Sequence, residues 1–232
     1  MIRKYSDFVA ELLKAGFSMG GGADDGIYSV VTWSWNETPP YETPVRWHTG
    51  DLETDPWEWR MRVLEERNDI AYSKLFFKKS GYITKDWYPY FLAVRRQNLS
   101  FEEAYDDGIV TNDAKRLYEV VKDQGPIALH SLKVLSNLAQ KDQKSRFDRA
   151  MTELQTKLFI TMCARQQKQS KTGEGYGWYS TVFTTVEDFF PAEVFKKAAS
   201  LSKKEAAEQL TKQILTLNPQ AKPKIIENFI QG

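Results

Sequence analysis

Three helical periods followed by two alternating segments, all between residues 112 and 190, predict an α+β fold built around a winged helix-turn-helix. Two further observations shape that expectation. Six of the seven tryptophans lie before residue 90, marking a tryptophan-rich N-terminal α/β region. Two sharply bounded helical periods after residue 200 mark a C-terminal helical cap. The expected organisation is 1–110, 111–190 and 191–232, with the last segment packed on the rest.

The first region opens with a helix near Asp7–Ala15, ended by Gly16, and a flexible connection at Gly20-Gly21-Gly22. Ile27–Trp35 carries apolar residues on both alternating faces, as a strand buried on both sides does. Pro39, Pro40 and Pro44 then impose an extended loop. In Thr54-Asp55-Pro56-Trp57-Glu58, Asp55 can cap a helix, Pro56 suits its first turn, and Glu58 stands where a capping box needs it. That helix is expected to reach Arg67. Ala71–Phe77 reads as a strand running into a turn at Ser80-Gly81, and a helix from Asp86 to Gln97 follows. Ser100 with Glu103, and Ser202 with Glu205, form two more capping boxes; Pro223 opens a last helix ending near Ile230.

The central segment carries the functional expectation. Asn112 is placed to cap a helix over Asp113–Asp123, whose inner face is Ala114, Leu117, Tyr118 and Val121 and whose end is Gly125. Pro126–Leu129 is extended. A second helix over His130–Leu138 turns Leu132, Leu135 and Leu138 inward, and a third over Gln143–Gln155 turns in Phe147, Ala150, Met151 and Leu154. Lys157–Met162 and Tyr176–Thr184 then alternate as strands, joined by a polar stretch and Gly173-Glu174-Gly175.

The third helix of such a unit enters a major groove. Its outward residues here are Lys144, Ser145, Arg146, Arg149 and Thr152, suited to phosphates and base edges. The hairpin that follows adds Arg165, Lys168 and Lys171. Lys141–Lys171 holds eight basic residues against three acidic ones, whereas the whole chain holds 32 against 31. The expected partner is duplex DNA, met by a local basic face rather than by net charge. Arg60, Arg62, Lys74, Lys78 and Lys79 are candidates to extend that face.

Two weaker constellations lie in the first half. His48 and Asp51, in a run of carboxylates from Asp51 to Asp55, could activate water, although the structural reading is stronger because Asp55 is already accounted for as a cap. Trp33, Trp35, Arg46 and Trp47 are candidates to line a pocket for a flipped base, against the alternative that they are core. One cysteine, Cys163, excludes an intrachain disulfide and a cysteine-based zinc site. No metal and no cofactor is expected. No apolar run nears the ~20 residues of a membrane span, and no apolar leader follows Met1, so no membrane contact and a reducing, cytoplasmic location are expected.

Several stretches carry a family resemblance: Arg46-Trp47-His48-Thr49-Gly50, Asp55-Pro56-Trp57-Glu58-Trp59-Arg60, Ala71–Phe76, Ser145–Gln155, Tyr176-Gly177-Trp178 and Thr181-Val182-Phe183. There the chain resembles the AlkZ/YcaQ-like winged-helix family, and most closely the compact bacterial group called AlkZ-related, over nearly its whole length. The resemblance implies DNA binding linked to alkylation damage. The larger glycosylases of the family resemble one another in an early Gln-aliphatic-Gln or Gln-aliphatic-Asp triplet. No such triplet occurs in the first hundred residues here, and Gln167-Lys168-Gln169 has lysine at its centre. Excision of alkylated bases therefore stands as an alternative to binding alone. A second alternative is a protein-interaction module, with the C-terminal helices as a surface for homodimerisation.

Overall fold

The computed structural model describes residues 1–22, 26–33, 40–169 and 175–232. In the N-terminal half it forms α1 (Tyr5–Ala15), β1 (Phe17–Met19), α2 (Pro56–Glu66), β2 (Ile70–Phe76), β3 (Lys79–Thr84), α3 (Tyr88–Arg95) and α4 (Phe101–Asp106). The central segment forms α5 (Asn112–Gln124), β4 (Ile127–Ala128), α6 (Leu129–Leu135), α7 (Lys144–Thr156), β5 (Ile160–Gln169) and β6 (Gly175–Thr185). The chain ends with α8 (Val186–Phe189), α9 (Ala192–Ala199), α10 (Lys203–Leu217) and α11 (Pro223–Gln231). The fold is α+β, and its strands join in one antiparallel sheet of order β1-β3-β2-β5-β6-β4.

That sheet crosses the middle of the sequence. Tyr72 of β2 pairs with Met162 of β5, and Ser73 Oγ accepts from the Met162 N–H at 3.2 Å. Beyond this contact the strands part, and the Lys74 N–H donates instead to Gln155 Oε1 of α7 at 3.1 Å. Three apolar clusters support the sheet. One joins α5, α6 and α7 to β6 through Leu117, Val121, Leu132, Phe147, Leu154 and Phe183. A second gathers α1 and α2 on β2 and β3 around Phe8, Leu12, Trp59 and Tyr82. The third packs Leu210, Ile214, Ile226 and Phe229 of α10 and α11 against Phe17, Phe76 and Phe91. The C-terminal helices thus bury their apolar faces inside the chain's own core.

Local departures from the sequence reading have physical causes. Ile27–Trp33 is irregular rather than a strand, and Trp35 lies outside the described residues. Its apolar pattern reflects burial of Ile27, Val30 and Val31, while its polar main chain is met piecemeal: Tyr28 O accepts from Met19 N, and Ser18 Oγ accepts from Val30 N. The β2–β3 turn sits at Phe77 and Lys78, both at positive φ, three residues before the expected place. Gly81 instead lies within β3, where a Cβ would stand 2.5 Å from the Phe76 ring. Thr111, not Asn112, caps α5 by accepting from the Ala114 N–H. The second central helix ends early, at Leu135, and leaves that side chain 52% exposed; Asn137 at φ 55 then turns Leu138 into the core. β5 continues through the polar residues to Gln169, held by its ladder to β6.

Candidate nucleic-acid interface

The amphipathic period of α7 divides it cleanly. Phe147, Ala150, Met151 and Leu154 are buried. The opposite side carries Lys144, Ser145, Asp148, Arg149 and Thr152 to the wall of a cleft of about 840 Å³. Lys74 of β2, Lys78 at the β2–β3 turn, and Lys141 and Asp142 just before α7 line the same cleft. Lys74 Nζ approaches Thr152 Oγ1 at 3.5 Å, fixing the distance between strand and helix at that point.

The cleft is lined by six basic side chains and three acidic ones. Glu153 is already engaged, accepting from Thr111 Oγ1 at 2.7 Å and from Lys157 Nζ at 2.8 Å. Lys157 also donates to the Ile109 carbonyl, so it too is held. Lys78, Lys141, Lys144 and Arg149 have no acidic partner among the described residues. Asp142 and Asp148 also line the cleft without a salt bridge among the described residues, so the surplus is that of six basic side chains over three acidic ones, a sign that favours a polyanion.

Two of the expected arginines go elsewhere. Arg146 points to the α5 side of the helix and holds Asp113 with both Nε (2.9 Å) and Nη2 (2.6 Å). The hydrogen bond from Arg146 draws the Asp113 carboxyl below its usual range. Arg165 projects from β5 onto α2, where Glu58 and Glu65 each accept at 2.9 Å. Glu58 is thereby taken from the capping box the sequence offered it. Arg62, a candidate extension, is likewise paired with Glu53 and Glu66. The Lys168 side chain and the whole of Lys171 lie outside the described residues. The structure therefore gathers Lys144, Ser145, Arg149 and Thr152 with Lys74 and Lys78, and does not bring Arg146 or Arg165 to them.

The His48–Asp55 loop is held by carboxylates acting as turn caps. Asp55 is fully buried and accepts from the N–H groups of His48, Gly50 and Trp57 at 2.8–3.0 Å. Asp51 accepts from Glu53 N, Thr54 N and Thr54 Oγ1, and the first of these draws its carboxyl below the usual range. A carboxylate so stabilised is a weaker base, and its hydrogen bonds here are those of a turn cap. His48 adopts φ 61 and packs against Trp57 with ring centroids 4.8 Å apart.

A second concavity, of about 490 Å³, lies beside this loop and is lined by Trp47, Trp57, Arg60 and Tyr72 among others. Of the expected pocket residues, Trp47 reaches it. Trp33 does not line it; its carbonyl accepts from Trp47 Nε1 at 3.1 Å and so holds that ring in place. Arg46 turns away, its guanidinium 3.2 Å above the Tyr41 ring. Sequence reasoning passes over Tyr72 because its alternation with Ala71 and Ser73 signals strand burial and nothing more.

Among the described residues, no helix is long and apolar enough to cross a membrane. No curated protein and no solved structure matches the chain. One family model does, under the description AlkZ related, over residues 2–231, so the chain belongs to the AlkZ-related family.

Proposed function

We propose that the chain binds duplex DNA through a winged-helix unit spanning α5 to β6, in a role linked to alkylation damage. The observation that carries this is the outward face of α7. It is open at Lys144, Ser145 and Arg149, and Lys74 and Lys78 from the β2 strand and its turn line the same cleft. The element order supports the reading: α5, β4, α6, α7, β5 and β6 follow the helix and strand sequence of winged-helix DNA binders, with β4 closing the sheet on β6. In this reading Lys144, Arg149, Lys74 and Lys78 contact phosphates, Ser145 and Thr152 approach base edges, and the β5–β6 hairpin is the wing. Membership of the AlkZ-related family supports the link to alkylated DNA.

The test is a salt-dependent titration against duplex DNA. Removing one cation that neutralises a phosphate flattens the plot of log K against log salt by about 0.9. Lys144→Ala with Arg149→Ala should weaken binding by about tenfold or more and flatten that slope by roughly 1.8. Arg146→Ala should leave the slope nearly unchanged, because Arg146 is committed to Asp113. Equal affinity for the double variant and the parent protein, at all salt concentrations, overturns the assignment.

A further inference from the structure

We propose that the aromatic concavity beside β2 receives a single nucleobase, unstacked from a duplex held on the α7 cleft. This rests on the duplex-binding reading and assigns a second site next to it. Its chemistry fits a planar, uncharged, hydrogen-bonding ligand. Trp47, Trp57, His48 and Tyr72 supply ring faces and edges. Arg60 supplies in-plane donors: its Nε donates to the Trp57 carbonyl at 2.7 Å, and its Cζ lies 3.3 Å above the Trp57 ring. The guanidinium is thus held over an aromatic face, while its two terminal nitrogens meet no acceptor among the described residues. Bases extruded from a helix are held by stacking and by hydrogen bonds to their edges.

Among the described residues the lining contains no carboxylate, and the arginine held at its wall disfavours a cation, which argues for an uncharged ring over an ammonium group. The volume, about 490 Å³, lies within the range of small-molecule sites and is ample for one base with its sugar.

The glycine run at 20–22 is part of the wall rather than a loose connection. A Cβ on Gly20 would stand 2.7 Å from the Ser80 carbonyl oxygen, and one on Gly21 would stand 2.7 Å from the Trp47 ring. Gly21 also sits at φ 114. These positions let the main chain lie directly against the indole of Trp47.

Placement joins the two sites. Tyr72 lines the concavity and Lys74 lines the cleft. They are two residues apart on β2, hence on one face of the sheet, with Cα atoms roughly 7 Å apart. The two linings therefore adjoin along β2.

The experiment compares a short duplex bearing one bulged nucleotide with the same duplex fully paired. The parent protein should bind the bulged duplex about tenfold or more tightly, since the unstacking cost is already met. Trp57→Ala, at an exposed position, and Arg60→Lys, which keeps the charge but loses the planar fork, should remove that preference yet keep the affinity for paired duplex and its salt slope. Lys144→Ala with Arg149→Ala should weaken both duplexes alike and preserve their ratio. Equal binding of the two duplexes by the parent, or a preference that survives both pocket variants, overturns the inference and leaves duplex binding standing. Absence of binding to either duplex overturns both readings together.

Discussion

The guanidinium of Arg95 has no carboxylate partner among the described residues and donates to four main-chain carbonyls. Nε reaches Ile230 O at 2.8 Å, Nη1 reaches Leu75 O and Thr156 O at 2.7 and 2.9 Å, and Nη2 reaches Phe229 O at 2.8 Å. One side chain therefore ties the ends of β2, α7 and α11 together behind the cleft. The carbonyls at the ends of α7 and α11 are the orphan acceptors that every helix terminus leaves, and a cation there also suits the helix dipole. Removing it strands several buried acceptors at about 1–3 kcal/mol each, partly relieved by water. Arg95→Met should therefore cost about 3–5 kcal/mol in urea unfolding. A loss below about 1 kcal/mol would show that these carbonyls are satisfied without it. Asp55 works by the same logic at the start of α2, where one carboxylate meets three N–H groups and fixes both α2 and the loop before it.

At the scale of elements, the β2–β3 hairpin joins stability to the proposed duplex contact. A two-residue turn of this kind needs positive φ at both positions, which Asn-Gly accepts readily and other residues resist. Here Phe77 and Lys78 occupy them, at φ 50 and 61. The strain at Phe77 is offset by packing against Phe229, with ring centroids 6.0 Å apart. Lys78 has no comparable ring to pack; it faces the cleft. Lys78→Gly should thus raise stability by about 0.5–1 kcal/mol, the relief of a left-handed conformation less the glycine's entropy, while weakening duplex binding. A destabilised variant, or one that binds DNA as well as the parent, would show that the lysine is placed there for another reason. The same hairpin shows why part of the fold is legible in the sequence and part is not. Helix starts at Asp55-Pro56, Ser100 and Ser202 are readable because caps are local chemistry, and the inner face of α7 is readable from its period. The turn at Phe77-Lys78 carries no turn residues, so Ser80-Gly81 attracts the assignment; the glycine there answers to the Phe76 ring instead. The cleft is half legible for the same reason. Spacing places Lys144 and Arg149 on one face, but no local rule shows that Arg146 finds Asp113, or Arg165 the glutamates of α2.

For the whole molecule, the continuous sheet decides how the parts depend on each other. The unit from α5 to β6 shares one apolar cluster with α4 through Phe101 and Ala104, which by itself would allow the segment from α4 to β6 to unfold separately. Against that, β2 pairs with β5, Arg165 bridges β5 to α2, Arg95 joins α7 to α11, and the C-terminal helices complete the core under β1 and α3. Breaking either half exposes apolar surface and orphaned main-chain groups on the other. The chain should therefore unfold in one cooperative transition. Its composition provides two reporters for this: six of seven tryptophans precede residue 90, whereas α4 to α11 lie beyond it. Tryptophan emission consequently follows the first half, and far-ultraviolet circular dichroism weighs the helices of the second. Urea curves from the two probes should superimpose, with one midpoint and one slope. Two resolved midpoints, with the emission change preceding the loss of helix, would mean that the α4–β6 segment stands alone. The cleft would then depend on an interface between separable parts, and duplex binding would disappear at the first midpoint rather than the second.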